Sequence, residues 1–149
     1  MSTSTDANKA IVERFVDEAF NKGNLSAVDE LVAADAVDHG APPGFPPGAA
    51  GVKQLVAMFR GAFPDLETHH QDTLVDGDKV AVRPRMSGTH NGPFMGIGPT
   101  GRRVTVEGIA IYRLAGGRIV EHWGQLDMLG LLQQLGALPA PGSPSAAPA

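Results

Sequence analysis

The side chains that can move a proton are few in this chain of 149 residues: five histidines, sixteen carboxylates and no cysteine. Without cysteine, thiolate nucleophiles, disulfides and Cys-ligated zinc or iron–sulfur sites are excluded. Histidine titrates near neutral pH, which makes it the usual general acid or base. His122 lies in a predicted strand. It is either an acid/base group or ligand anchor, or a histidine hydrogen-bonded inside the sheet.

Two further candidates have competing interpretations. Asp127 follows the same strand and is either the N-cap of a helix or, after a bulge, a carboxylate at a pocket mouth. His39 precedes a proline-rich loop, where it either orients a substrate at a pocket rim or bonds its own backbone. His122, Asp127 and His39 are therefore the candidate catalytic residues.

The other histidines favour structural roles. His90 ends a strand and is expected to pin residues 88–92 by a hydrogen bond, at a position that also borders the predicted pocket. His69 and His70 are adjacent in a strand and point to opposite faces, so they cannot chelate one metal together. With no His pair at i, i+4, we expect no metal site.

The segment from Arg102 to Gly136 predicts two long strands followed by a helix. Apolar residues alternate from Val104 to Tyr112, which is typical of a strand with one buried face. The turn falls at residues 115–117, because two glycines supply the positive φ of a tight hairpin. Asp127 and Gly136 are suitable start and stop signals for the final helix.

The residues upstream predict three helices and a second hairpin. The first helix, capped by Thr5 or Asp6, and the second, capped by Asn24, carry apolar stripes at helical spacing. Residues 36–39 suit a short strand, and prolines make residues 41–50 an irregular loop before the third helix. Strands follow at residues 66–75 and 79–90, with Pro84 requiring an edge or a bulge.

This order predicts an α+β fold in which a curved antiparallel sheet is covered on one face by three N-terminal helices, with a short C-terminal helix. Such a cone leaves an apolar pocket for a small apolar molecule. The outer sheet face also needs cover, so we expect a homodimer through it. Residues 1–136 form one domain, and the Pro-, Ala- and Ser-rich residues 137–149 are expected to be a disordered tail.

Composition limits the partners. The net charge of −4 and the scattered Lys and Arg residues argue against nucleic acid. No apolar run is long enough to span a membrane, and the N-terminus has no signal-peptide pattern, so we expect no membrane partner and a cytoplasmic protein.

Three motifs carry a resemblance to a known family. They are the loop GTHNGPFMGIGPTGR from Gly88, the strand GRIVEHW from Gly117 and the helix DMLGLLQQLG from Asp127. In this combination the chain resembles the SnoaL-like polyketide cyclase, or ester cyclase, family of the nuclear-transport-factor-2-like superfamily over residues 9–136. The resemblance implies a cone-shaped fold and a cofactor-free intramolecular aldol condensation driven by an Asp and a His.

An ungapped comparison puts small residues at the family's two acid/base positions. Gly124 stands where the cyclases carry the Asp, and Ala110 stands where they carry the His. The resemblance therefore implies a roomier pocket, with His122 facing the same side as Gly124 in place of the missing pair. The expected pocket lining is Met86, His90, Phe94, Gly108, Ala110, Gly124 and Leu126.

Two functions follow from these expectations. The first is a cofactor-free enzyme that uses proton transfer to cyclise, dehydrate or isomerise a mid-sized apolar carbonyl or polyketide-like compound. The second is a dimeric protein that binds a small hydrophobic ligand without chemistry, which the small residues at 110 and 124 favour.

Overall fold

The computed structural model describes residues 3–138. Its helices are α1 Thr3–Phe15, continued by a π-helical turn Val16–Asn21, then α2 Leu25–Leu31, α3 Gly48–Ala62 and α4 Met128–Gln134. Its strands are β1 Val32–Asp38, β2 Glu67–Asp76, β3 Lys79–Thr89, β4 Arg103–Ala115 and β5 Arg118–Leu126. The α+β plan predicted from the sequence is confirmed.

The sheet is open and mixed, with the strand order β1-β5-β4-β3-β2. Strands β2 to β5 form the predicted antiparallel meander, but β1 pairs with β5 in parallel. The parallel strand β1 is an addition at the edge of the expected antiparallel sheet, and it is longer than the short strand expected at residues 36–39. A parallel neighbour needs a long connection, and most of the chain separates β1 from β5.

The central hairpin of β4 and β5 follows the predicted alternation, with the even-numbered residues of β4 on the inner face. Gly116 and Gly117 have φ of 59° and 79°, the conformation that the tight turn requires. A register shift follows, since Leu114 pairs with Ile119 but Arg113 pairs with Glu121. This irregularity places both Ile119 and His122 on the inner face.

Several predicted boundaries move. Helix α1 already begins at Thr3, so neither Thr5 nor Asp6 is its N-cap. Helix α3 begins at Gly48, inside the segment expected to be irregular. Gly48 has φ of 70°, and a Cβ there would lie 1.8 Å from the Ala34 carbonyl oxygen, so only glycine lets the helix start this close to β1. Of the tail predicted from residue 137, residues 139–149 lie outside the described residues.

The helices cover the inner face of the sheet with two groups of buried side chains. One group joins α1, α2 and α3 to the end of the sheet that contains Val80 and Tyr112. The other surrounds Phe63, Phe94 and Leu131. The two groups leave a cavity between them, against the middle of the sheet. In the described part of the chain, no helix is long and apolar enough to cross a membrane.

Candidate functional site

A cavity of about 540 Å³ lies between the helices and the inner face of the sheet. This volume is in the range of small-molecule sites. Most of its wall is apolar, and its mouth includes the exposed residues His39 and Met95. The polar residues that border it are few: Asp38, His39, Thr68, His70, Tyr112, His122 and Gln125. Any acid/base chemistry inside the cavity has to use members of this set.

Asp38 and His122 form a hydrogen-bonded pair in the wall of the cavity. They are Cα partners across the parallel β1–β5 ladder, and Asp38 Oδ1 lies 2.9 Å from His122 Nδ1. Their side chains are only 18% and 24% exposed. An ionised carboxylate only accepts hydrogen bonds, so Nδ1 carries the proton and leaves Nε2 free to accept another.

The carboxyl group of Asp38 is held in its ionised form. Burial is the largest single effect and raises the pKa of Asp38, but the hydrogen bond and charge interaction with His122, the backbone hydrogen bond from Gly40 and the charge interaction with His39 together outweigh it. The backbone N–H of Gly40 also donates to Asp38 Oδ1 at 2.9 Å. Together these contacts hold the pKa of Asp38 below its usual value, so the carboxylate fixes the orientation of the imidazole across the neutral pH range.

The absence of a side chain at Gly124 makes room for the His122 ring. A Cβ at residue 124 would lie 2.7 Å from His122 Cε1 and 2.9 Å from Nε2. The imidazole therefore occupies the space into which a side chain at position 124 would extend. Gly124 is the cross-strand partner of Ala110, so two small residues form this part of the cavity wall.

Tyr112 is the neighbour of His122 on β4, with the two ring centroids 4.7 Å apart. Burial, assisted by the negative charge of Asp38, raises the pKa of Tyr112 far above its usual value. The phenol therefore stays protonated and able to donate a hydrogen bond. The sequence pointed to neither Asp38 nor Tyr112 as a site residue. Strand alternation put Tyr112 on the inner face, but nothing local indicated that β1 would pair with β5.

His39 lies at the rim, where the sequence suggested it. Its Nε2 is 2.7 Å from Glu121 Oε2, and its ring stacks on Trp123 with centroids 5.1 Å apart. Its backbone N–H donates to the His122 carbonyl at 2.8 Å. The ring nitrogen Nε2 contacts the Glu121 side chain rather than the local backbone of the loop. These contacts fix His39 beside the mouth, on the opposite side of β5 from the His122 ring.

Asp127 does not border the cavity. Its side chain is exposed and accepts a hydrogen bond from the Gly130 N–H at 2.9 Å, which makes it the N-cap of α4. The helix-cap interpretation is correct, and the suggested bulge that would turn Asp127 into the pocket mouth is absent from this part of the chain. Among the three candidate catalytic residues, Asp127 is thus the one that the structure places outside the cavity wall.

Of the seven residues expected to line the pocket, five border the cavity and two do not. Met86, Phe94, Ala110, Gly124 and Leu126 border the cavity. Gly108 does not, because the Gln125 carbonyl and the Leu126 side chain occupy the space in front of it.

His90 is also outside the cavity wall. It is fully buried behind the wall, where Nδ1 lies 2.9 Å from Thr100 Oγ1 and the ring packs on Phe63. The histidine pins residues 100–102 rather than residues 88–92.

His70, which the sequence treated only as part of an unsuitable metal pair, does line the cavity, whereas His69 is exposed. A register shift between His70 and Asp72 lies opposite Pro84, as the proline required. Among residues 3–138, no three His, Asp or Glu side chains gather as a possible metal site.

Comparisons with family models and with known proteins point to the same family. The family model for the SnoaL-like polyketide cyclase matches residues 10–135. Aklanonic acid methyl ester cyclase DnrD of Streptomyces peucetius is 31% identical over 91% of this chain and 92% of its own. Nogalonic acid methyl ester cyclase of Streptomyces nogalater is 31% identical over 79% of this chain and 90% of its own.

Solved structures give the same result. TsrD from Streptomyces laurentii superimposes with a TM-score of 0.82 at 31% identity, covering 89% of this chain and 97% of that chain. The sequence motifs, the open α+β sheet with its enclosed cavity, and these relatives agree. The chain belongs to the SnoaL-like polyketide cyclase family.

Proposed function

We propose that this protein closes a ring in a polyketide-like carbonyl compound by acid/base catalysis without a cofactor, with His122 as the acid/base group. The observation that carries the proposal is the Asp38–His122 pair in the wall of an apolar cavity of about 540 Å³. Relatives that are 31% identical are named as methyl ester cyclases, which supports the same class of reaction.

The chemistry requires one group that first takes and then returns a proton. His122 Nε2 removes a proton from a carbon between two carbonyls, where the proton is already acidic. The resulting enolate carbon attacks a second carbonyl of the same molecule, so a C–C bond forms and the C=O π bond breaks. The new alkoxide takes the proton back from Nε2. Asp38 acts as a positioning residue that stabilises the imidazolium between these steps.

Tyr112 supplies a hydrogen-bond donor beside this base. Its phenol stays protonated because burial raises its pKa. We assign it to the enolate oxygen, where a fixed donor in a site shielded from water stabilises the developing charge. The apolar wall around the pair keeps water from competing for the same interactions.

The test uses the two esters named in the relatives, aklanonic and nogalonic acid methyl ester. His122→Gln keeps a polar side chain but removes the base, and we expect kcat to fall about 10²- to 10⁴-fold with little change in ester binding. His69→Gln, an exposed histidine on β2, is the matched control and should keep wild-type turnover. Unchanged kcat in His122→Gln would overturn the assignment.

The second candidate is a ligand-binding protein without catalysis. It is favoured by Gly124 and Ala110, which put no proton-transferring group at two adjacent wall positions. In that case the wild-type protein binds the esters without converting them, and His122→Gln changes affinity alone. Product formation by the wild-type protein excludes this candidate.

A further inference from the structure

We propose that Thr68 and His70 on β2 form a second polar subsite, which binds a neutral oxygen-bearing group of the ligand away from the Asp38–His122 pair. This inference rests on the proposed function, since it concerns the same cavity and names a feature of the molecule that enters it. The subsite would recognise a hydroxyl or carbonyl group attached to an apolar ring system.

The first argument is that a buried polar group in this part of the wall lacks a partner. Thr68 is only 7% exposed, and its hydroxyl has no hydrogen-bond partner within residues 3–138. The His70 ring borders the same cavity and is half-buried. A buried polar group without a partner costs about 1–3 kcal/mol. A ligand oxygen that pairs with the Thr68 hydroxyl would recover that cost on binding.

The second argument is that the subsite is rigidly held. Asn21 in the π-helical turn fixes the Thr68 backbone from both sides: its amide donates to the Thr68 carbonyl at 3.0 Å, and its oxygen accepts from the Thr68 N–H at 2.6 Å. Pro84 and Met86, the cross-strand partners of His70 and Thr68, border the same cavity. The two polar side chains therefore stand on an otherwise apolar wall.

The third argument concerns distance from the proposed base. Strand β2 is three strands away from β5 in the sheet, which corresponds to about 14 Å at the usual strand spacing. One small ligand group cannot contact both places. A ligand that bonds to both the Asp38–His122 pair and the Thr68–His70 subsite must therefore carry oxygen atoms at two separated positions.

The charge state of His70 selects the kind of oxygen group. Burial lowers the pKa of His70 and outweighs the raising effect of the Glu13 carboxylate. The ring is therefore neutral near pH 7 and offers one donor and one acceptor, as a hydroxyl does. A neutral phenol or ketone suits this pair better than a carboxylate, which would need a cation.

The experiment measures binding without turnover, so it remains valid whatever the outcome for catalysis. Equilibrium dialysis compares 4-hydroxybiphenyl with 4-methylbiphenyl, which has the same shape but no oxygen. The proteins are wild type, Thr68→Val, His70→Phe, Thr68→Ser and the control His69→Phe. We expect wild type to prefer the phenol by about 2- to 10-fold, the value of one neutral hydrogen bond.

The preference should disappear in Thr68→Val and His70→Phe and remain in Thr68→Ser and His69→Phe, while 4-methylbiphenyl binds all five proteins equally. Retention of the preference in both Thr68→Val and His70→Phe would overturn the proposal. A sixth protein, His122→Gln, is measured with the phenol and its methyl analogue for comparison. A preference lost in this variant alone also overturns the proposal, because the oxygen would then bind at the Asp38–His122 pair. Thermal melting of each variant confirms that the comparison is made on folded protein.

Discussion

At the scale of single residues, the Asp38–His122 hydrogen bond links function to stability. The pKa of Asp38 is lower in the folded protein than its usual value, so ionised Asp38 stabilises the fold. This contribution is complete above the ordinary Asp pKa of about 4 and is lost as the pH falls through the lowered folded value. Acid therefore removes the stabilisation, whereas neutral pH retains it.

We expect Asp38→Asn to lower the free energy of unfolding at pH 7 and to become indistinguishable from wild type in strong acid. Denaturant unfolding at a series of pH values measures the difference. Asp35→Asn, an exposed carboxylate on the same strand, is the control and should lie close to wild type at every pH. A deficit in Asp38→Asn that persists unchanged below pH 2 would contradict the ionic origin of the effect.

Residue-level prediction succeeded where it depended on local alternation. Strand alternation put Ala110 and Tyr112 on one face of β4. The resemblance to the cyclase family, combined with alternation in β5, implied that Gly124 faces the pocket. Local alternation missed Asp38, because the contact between Asp38 and His122 spans 84 positions and depends on a parallel pairing that no short pattern encodes. The sequence also left two alternative roles open for Asp127, a helix cap or a carboxylate at the pocket mouth. The hydrogen bond from the Gly130 N–H to the Asp127 carboxylate shows that this residue caps the helix.

At the scale of elements, the π-helical turn after α1 depends on one arginine. Arg60 of α3 donates to the carbonyl oxygens of Phe20 at 2.8 Å and Asn21 at 3.0 Å, and also to Pro64 at 3.0 Å. It thus joins the end of the turn to the end of α3. Since Asn21 in turn fixes the start of β2, Arg60 indirectly positions the Thr68 backbone.

We expect Arg60→Ala to cost about 2–3 kcal/mol of unfolding free energy, because several carbonyl groups lose a charged donor at once. Chemical denaturation measures the loss. Arg14→Ala removes an exposed ion pair with Glu30 and should cost less than about 1 kcal/mol. Equal losses in the two variants would show that the Arg60 contacts contribute no more than an ordinary surface pair.

The elements themselves were largely predictable, but their ends were not. The apolar stripe of α1 identified the helix, yet its change to a π-helical turn depends on contacts with Arg60 and Thr68 that are distant in sequence. Prolines correctly marked an irregular segment before α3. They did not reveal that Gly48, by its positive φ and its close approach to β1, already begins that helix.

At the scale of the whole molecule, the outer sheet face is incompletely covered. Ile109, Ile111 and Leu74 are 57%, 36% and 72% exposed there. Between them lie ion pairs such as Arg83 with Asp72 and Arg113 with Glu121. Because a two-fold interface places the same surface on both subunits, a face that carries apolar residues together with both signs of charge can pair with its own copy. We therefore propose a homodimer through this face.

Sedimentation of the full chain at micromolar concentration tests this proposal. We expect wild type to be a dimer and Ile111→Glu to be a monomer, because a carboxylate in the middle of the face would be buried without a partner. Leu129→Glu changes an exposed apolar residue on α4, away from this face, and should remain a dimer. A monomeric wild-type protein would contradict the proposal.

The close fit between the His122 ring and Gly124 has a consequence for how such a site changes during evolution. Any side chain introduced at position 124 meets the imidazole at 2.7 Å, so residue 124 can gain a side chain only if the His122 ring moves or residue 122 is replaced first. A functional carboxylate at 124 and the present position of the imidazole therefore exclude each other. A lineage that gains the carboxylate must reposition or replace the imidazole, which makes the order of the two changes matter.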